Sequence, residues 1–376
     1  MALTKYKLGE LIELSDERNI SGKYSLDSVK GISTEKAFID TKANMDGVSL
    51  DTYKVVNPGE FSYVPDTSRR GDKIALAFNN SGKAILISSI YTTFKCRRND
   101  LLIPEFLYVF FNRPEFDRYS RFNSWGSARE TFSWEDFCDI DITLPSIEEQ
   151  RKYVDIYLSL QNNLASYQIK VEELKLVCDG YLDKLKKEND KLKIGNYIEQ
   201  CDERNSNNHY TVDDLRGISI QKKFVDSKAD MMEVSLTPYV LVKPEYLAFV
   251  PVTSRNGGKI TLAYNDSDKT YIVSSAYIVF QVKDKQKLDP EYLFMYFNRP
   301  EFDRYARFNS WGSAREVFTM DDMNDVAIPI PDISIQKEIV KIHKCYIERQ
   351  RIAEQLKEQI NNLCPILIKG SLQTNN

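Results

Sequence analysis

The chain writes one folding unit twice. Arg121–Glu130 reads RFNSWGSARE, and the same phrase returns letter for letter at Arg307–Glu316. Around it, LGELIELSDERN from Leu8 matches IGNYIEQCDERN from Ile194, and KGIS from Lys30 matches RGIS from Arg216. VPDTSRRGDKIALAFN from Val64 matches VPVTSRNGGKITLAYN from Val250. Every pair is 186 positions apart, and no gap is needed from Leu8 to beyond Gln150. A solenoid is excluded, because such repeats run to roughly 20–50 residues.

Each unit opens with a mixed α+β globule. Strand-like runs (VSLDTYKVV, FSYV, KIALAF, AILISSIYTTF) are separated by the turn signals NPG, RRGD and NNSG. Helices are predicted at PEFLYVFFN and from Pro114 in RPEFDRY, with a proline suited to the first turn. The irregular NSWGSARE loop and the apolar DIDITLP close the globule.

A long helix is predicted to follow each globule. Glu148 to Lys191 has no proline and one glycine. Leu160, Leu164, Tyr167, Val171, Leu174, Cys178, Tyr181 and Leu185 recur at coiled-coil spacing. Ile339, Ile342, Tyr346, Ala353, Leu356, Ile360, Leu363 and Leu367 repeat the stripe, interrupted at Arg349. Pro365 is expected to kink or end the last turns. Each stripe needs a cover, and the other stripe, packed antiparallel over roughly 60 Å, is the simplest one. The predicted layout is a globule (1–147), a central helix (148–191), a second globule (192–333) and a C-terminal helix (334–370). A short disordered tail (371–376) ends it. The two globules are expected to be related by a pseudo-two-fold axis.

Hydrophobic residues make up 42% of the 376, enough for packed cores without disulfides or metals. The six cysteines show no CxxC spacing and read as thiols of a reducing compartment, so a cytoplasmic location is expected, with no membrane segment. The net charge of −4 lacks the basic excess usual in proteins that bind nucleic acid alone, so positive charge must be local or come from partners. There is no GxGxxG or GxxxxGK[ST] phosphate cradle. His209 and His343, the two histidines, do not correspond between the units. No catalytic or metal-binding constellation stands out, which favours a binding function over an enzyme.

Candidate DNA-binding residues lie in the turn-like places. The first is a hairpin tip with Ser68, Arg69, Arg70 and Lys73, matched by Ser254, Arg255, Asn256 and Lys259. Arginine pairs with guanine edges or phosphates, and hydroxyls donate to phosphate oxygens. The second is the repeated loop: Arg121, Asn123, Ser124, Ser127 and Arg129, with Arg307, Asn309, Ser310, Ser313 and Arg315. Its arginines are expected to position a backbone, and Trp125 to plug the core. Lys36 faces Lys222 across the repeat, and Ala37 faces Lys223; these lysines are further candidates. Such mismatched positions, with Arg70 against Asn256, are where two readers could differ.

The order of parts resembles the specificity subunit of type I restriction–modification systems over essentially the whole chain. The junctions Ile142-Thr143-Leu144-Pro145-Ser146-Ile147-Glu148-Glu149-Gln150 and Ile328-Pro329-Ile330-Pro331-Asp332-Ile333-Ser334-Ile335-Gln336 are similar to that family's I-x-L-P-x-x-x-E-Q passage. Ile335 stands where the second Glu would. Lys7-Leu8-Gly9-Glu10 and Lys193-Ile194-Gly195-Asn196 are also of the family's kind. The resemblance implies two target recognition domains reading a bipartite double-stranded DNA site. It implies helices that dock two methyltransferase subunits, and a restriction/translocase subunit beyond them. S-adenosylmethionine, ATP and Mg would sit on those partners, with no cofactor in this chain. A stand-alone DNA-modifying enzyme and a protein-binding scaffold are the competing readings.

Overall fold

The computed structural model describes residues 3–20, 22–41, 43–68, 70–227, 234–254, 257–313 and 315–373. It divides into two compact units, residues 1–167 with 352–376, and residues 168–351.

The first unit runs through β1 (Thr4–Lys7), β2 (Ile12–Leu14), β3 (Lys30–Ile32), β4 (Phe38–Asp40), β5 (Lys54–Val56), β6 (Phe61–Tyr63), β7 (Leu76–Phe78), β8 (Ile85–Ile87) and β9 (Thr92–Cys96). Then come α1 (Pro104–Phe111), α2 (Pro114–Phe122), α3 (Trp134–Cys138), β10 (Asp141–Leu144) and the long α4 (Ile147–Glu188). A four-stranded sheet in the order β2-β9-β6-β7 carries the core, beside the pairs β1-β10, β3-β4 and β5-β8. The expected strands and first two helices are present, but Val48–Asp51 lies in a turn region and α3 has too short a pattern to be seen in sequence. Phe61, Tyr63, Phe94, Phe111, Phe132 and Phe137 fill the space between sheet and helices. Rings at centroid distances of 4.8 Å (Tyr63–Phe137) and 5.0 Å (Phe61–Phe94) stack face to face.

The second unit repeats this order: β11 (Lys191–Lys193), β12 (Ile198–Gln200), β13 (Arg216–Ile218), β14 (Phe224–Asp226), β15 (Val240–Val242), β16 (Leu247–Phe249), β17 (Leu262–Tyr264), β18 (Tyr271–Val273) and β19 (Ile278–Val282). α5 (Pro290–Phe297), α6 (Pro300–Phe308), α7 (Met320–Asn324), β20 (Ala327–Pro329) and the long α8 (Ile333–Ser371) follow. Its four-stranded sheet has the matching order β12-β19-β16-β17. Gly9 and Gly195 explain the motif that opens each unit. A Cβ on either would lie 2.8 Å from the Cβ of Cys138 or Asn324, so only glycine lets the opening turn rest on α3 or α7.

The predicted seams are buried or half-buried along both long helices. In the first unit Tyr157 and Leu164 of α4 share a core with Ala353, Ile360, Cys364 and Leu367 of α8, and Tyr153 lies against Gly370. In the second unit Leu182 and Leu185 share a core with Ile339 and Val340, and Asp179 of α4 acts electrostatically on His343 of α8. Early residues of one helix thus meet late residues of the other, an antiparallel coiled-coil pairing. Pro365 does not end α8. Leu367 and Ile368 beyond it are buried, and that burial offsets the backbone hydrogen bond the proline removes.

The junction motif has a physical purpose. Gln150 is fully buried; its Nε2 donates to Leu101 O (2.8 Å) and Pro145 O (3.0 Å), and its Oε1 accepts from Ile103 N (3.0 Å). Gln336 repeats this with Lys287 O (2.8 Å), Pro331 O (2.7 Å) and Asp289 N (2.9 Å). Only an amide supplies both donors and an acceptor, so Gln pins each long helix to the loop before the globule's first helix. Replacing Gln150 by Leu keeps the bulk but strands three buried backbone groups. Urea unfolding of Q150L is expected to show a loss of about 2–4 kcal/mol.

Half-buried His343 gives the helix pairing a pH dependence. Burial lowers its pKa to about 4, with Asp179 opposing. Below pH ~6.5 the unfolded chain takes up a proton that the native state refuses, so this contribution to stability is lost as pH falls from ~6.5 to ~4. Urea midpoints across that range are expected to fall more steeply for the parent than for H343L.

Candidate nucleic-acid interface

Strands β6 and β7 pair antiparallel, Phe61 with Phe78 and Tyr63 with Leu76, so the TSRRGDK segment closes a wide hairpin. The NSWGSARE loop leaves the end of α2 and folds onto that hairpin. Trp125 and Thr131 exchange backbone hydrogen bonds (3.1 and 2.9 Å). Thr67 N donates to Glu130 O (2.9 Å), and Phe132 N to Pro65 O (2.9 Å). In the second unit Trp311 pairs with Val317, Thr253 N donates to Glu316 O (3.0 Å), and Phe318 N to Pro251 O (2.9 Å). The two candidate segments of each unit therefore form one surface.

A glycine closes each loop. Gly126 has φ +142° and Gly312 φ +140°, and a Cβ would fall 2.1 or 2.2 Å from the carbonyl oxygen of Arg129 or Arg315. No side chain fits there. Arg121 pairs with Glu130 and reaches Thr67 Oγ1 (3.4 Å), and Arg307 pairs with Glu316. Ser68 Oγ donates to Asp66 (2.6 Å), which lowers that carboxyl's pKa. Lys73 pairs with Glu35 (2.9 Å).

Trp125 and Trp311 do not plug a core. They are 65% and 69% exposed, and Phe122 and Phe308 are 78% and 77% exposed. The core position expected for Trp125 is filled by Phe132, wholly buried one residue past the loop's closing pair. Ser127, Arg129, Ser313 and Arg315 are exposed, as are Ser68, Lys73, Lys223, Ser254 and Lys259. Arg70 is half-buried, its Nε donating to Asp66 O (3.1 Å). Arg69, Arg255 and Asn256 lie outside the described residues.

Four candidates turn inward. Lys36 and Lys222 are buried, and each is ion-paired with a helix acid, Asp117 or Asp303 (2.7 Å for the latter). Burial lowers both lysine pKa values, with the facing acid opposing. Their ammonium groups are held inside the protein, which corrects their reading as DNA contacts. Ser124 and Ser310 are also buried, donating to Ser120 O and Ala306 O (2.6 Å each) at a helix end. Asn123 and Asn309 cap the same helices through Tyr119 O and Tyr305 O (2.9 Å each).

Asp117 and Phe122 were missed in the sequence. Asp117 also accepts from Ile74 N (3.2 Å), and Asp303 from Ile260 N (3.2 Å). This acid joins α2, the hairpin base and the segment around Lys36. Phe122 carried a usable signal: α2 buries Phe116 and Ser120, and on a helical period Phe122 leaves that face.

The units differ around the shared loop. Asp66 and Thr131 form a bridge in one, and Val252 and Val317 in the other. They also differ at an arginine that is buried in the second unit and half-buried in the first. Arg299 pairs with Asp183 (3.2 Å), whereas Arg113 stacks on Phe110 (3.8 Å).

The fates of Lys36 and Lys222 are separable from DNA contact. K36M and K222M are each expected to lose about 3–5 kcal/mol of stability by leaving a largely buried acid without its cation. The salt slope of DNA binding by the folded fraction is expected to stay unchanged, because neither lysine meets a phosphate.

Comparison with known proteins agrees with this architecture. Residues 246–362 match the family model described as Type I restriction modification DNA specificity domain. The crystal structure of a type I restriction-modification system S subunit from M. genitalium superposes with a TM-score of 0.59 at 12% identity, covering 100% of this chain and 97% of that one. An HsdS subunit from Thermoanaerobacter tengcongensis gives a TM-score of 0.38 at 16% identity, covering 98% and 97%. No curated protein sequence matches the chain. At 12% identity the likeness to the M. genitalium subunit is one of fold. No helix among the described residues is long and apolar enough to cross a membrane, and no cluster of metal-ligating side chains occurs among them.

Proposed function

From a chain that carries a type I restriction modification DNA specificity domain at residues 246–362, and repeats that unit's fold ahead of it, we infer a DNA sequence-recognition subunit of a type I restriction–modification complex. One observation carries the reading. In each unit the hairpin tip and the NSWGSARE loop converge on one rigid surface that presents hydroxyls, arginines and exposed aromatics. Such a surface offers donors to phosphates and base edges, and ring faces for stacking.

On this reading each unit reads one half of a bipartite site in double-stranded DNA. The halves are related and inverted, because similar readers call for similar half-sites. Asp66 and Thr131 against Val252 and Val317, and Arg70 against Asn256, are where the halves would come to differ. The long helices are the docking surface for two methyltransferase subunits, which bring S-adenosylmethionine. A restriction/translocase subunit would bring ATP and Mg. The chain itself supplies recognition and no chemistry, and the complex works on cytoplasmic DNA.

Single-molecule sequencing of DNA from cells that express this chain with a neighbouring methyltransferase tests the reading. A bipartite adenine-methylated site with related, inverted halves is expected. Unrelated halves would overturn the symmetry argument, and no methylation from an active complex would overturn the reading. On the mapped site, R129A and R315A are each expected to lower the salt slope of binding by about one.

A further inference from the structure

The repeated loop carries an aromatic pair that base-edge reading does not use. We propose that Phe122 with Trp125, and Phe308 with Trp311, are wedges that insert between stacked bases, one pair in each half-site, and bend the duplex. The proposal rests on the DNA-reading function above and goes beyond it in assigning a mechanical step.

Exposure is the first ground. All four rings are between 65% and 78% exposed, in a chain whose other tryptophan, Trp134, packs on Phe94 and Phe137 with centroids 5.6 Å away. Rigidity is the second. The Trp125 backbone is tied on both sides to Thr131, and Gly126 adopts a conformation that only glycine holds. A ring on a fixed root inserts with little loss of conformational freedom.

Identity is the third ground, and it separates a wedge from a reader. The bridge beside each loop changes from Asp66–Thr131 to Val252–Val317, yet the loop itself is unchanged. What the loop meets must therefore be common to two half-sites whose flanking contacts differ. A ring face stacks on any base, and an apolar wedge reads deformability rather than sequence. Charge is the fourth ground. Arg129 and Arg315, four residues beyond each tryptophan, are exposed, and Arg118 and Arg304, four residues ahead of each phenylalanine, are 68% and 71% exposed at their side chains in loose surface pairs with Glu115 (3.5 Å) and Glu301 (4.0 Å). Cations beside an apolar ring fit a phosphate-lined groove better than an apolar protein surface.

Intrinsic fluorescence of the full chain, titrated with a duplex carrying the methylation-mapped site, tests this. Labelled-DNA anisotropy reports saturation independently. Two of the three tryptophans are expected to be quenched and to become inaccessible to iodide on binding. End-to-end energy transfer should report a bend of roughly 20–90°. F122A/W125A and F308A/W311A change exposed side chains only. Each is expected to remove the bend at its own half-site and to weaken binding about ten-fold or more. A saturated duplex that stays straight while the indoles remain open to iodide overturns the wedge and leaves the DNA reader standing. Protection of the indoles by the methyltransferase subunit alone, without DNA, also overturns it, because the pair is then a protein dock. Failure of any duplex to bind overturns the underlying reading and the wedge with it.

Discussion

A buried lysine–carboxylate pair holds the candidate surface of each unit in shape. Lys36 with Asp117, and Lys222 with Asp303, place a cation and an anion where either alone would be costly. The acid also receives the backbone N–H at the base of the hairpin, Ile74 or Ile260. The helix that launches the tryptophan loop, the hairpin it folds onto and the β3–β4 or β13–β14 turn are thus fixed to one carboxylate. The same arrangement in both units makes this a framework, on which Asp66, Thr131 and their valine counterparts can vary without moving the surface.

A second constraint acts at the other end of each globule. Gln150 and Gln336 convert a short loop into a fixed joint between globule and long helix. Together with the glycine packed on α3 or α7, they give a physical reason for the opening and junction motifs that both units share. Neither touches the surface proposed to meet DNA. They set the base from which it is presented, and recognition and support are carried by different residues.

The net charge of −4 fits this division. Many basic side chains are engaged in ion pairs: Arg121 with Glu130, Lys73 with Glu35, and the two buried lysines. What the exposed surface adds to its arginines is aromatic area, which supports stacking more than bulk electrostatic attraction.

The sequence by itself determined the duplicated architecture, the later strands and first two helices of each globule, and the seam of the long helices. These follow from periodicities that belong to the chain locally: an offset of 186, a helical stripe, and turn residues between apolar runs. Only the tertiary structure decided which way the key side chains face. Trp125 turns outward because Phe132 takes the core and Gly126 with Thr131 closes the loop beneath it; Lys36 turns inward because Asp117 waits on a helix 81 residues away. An irregular loop has no period to read. Its orientation is set by contacts such as that of Thr67 with Glu130, across 63 residues, which no local pattern records.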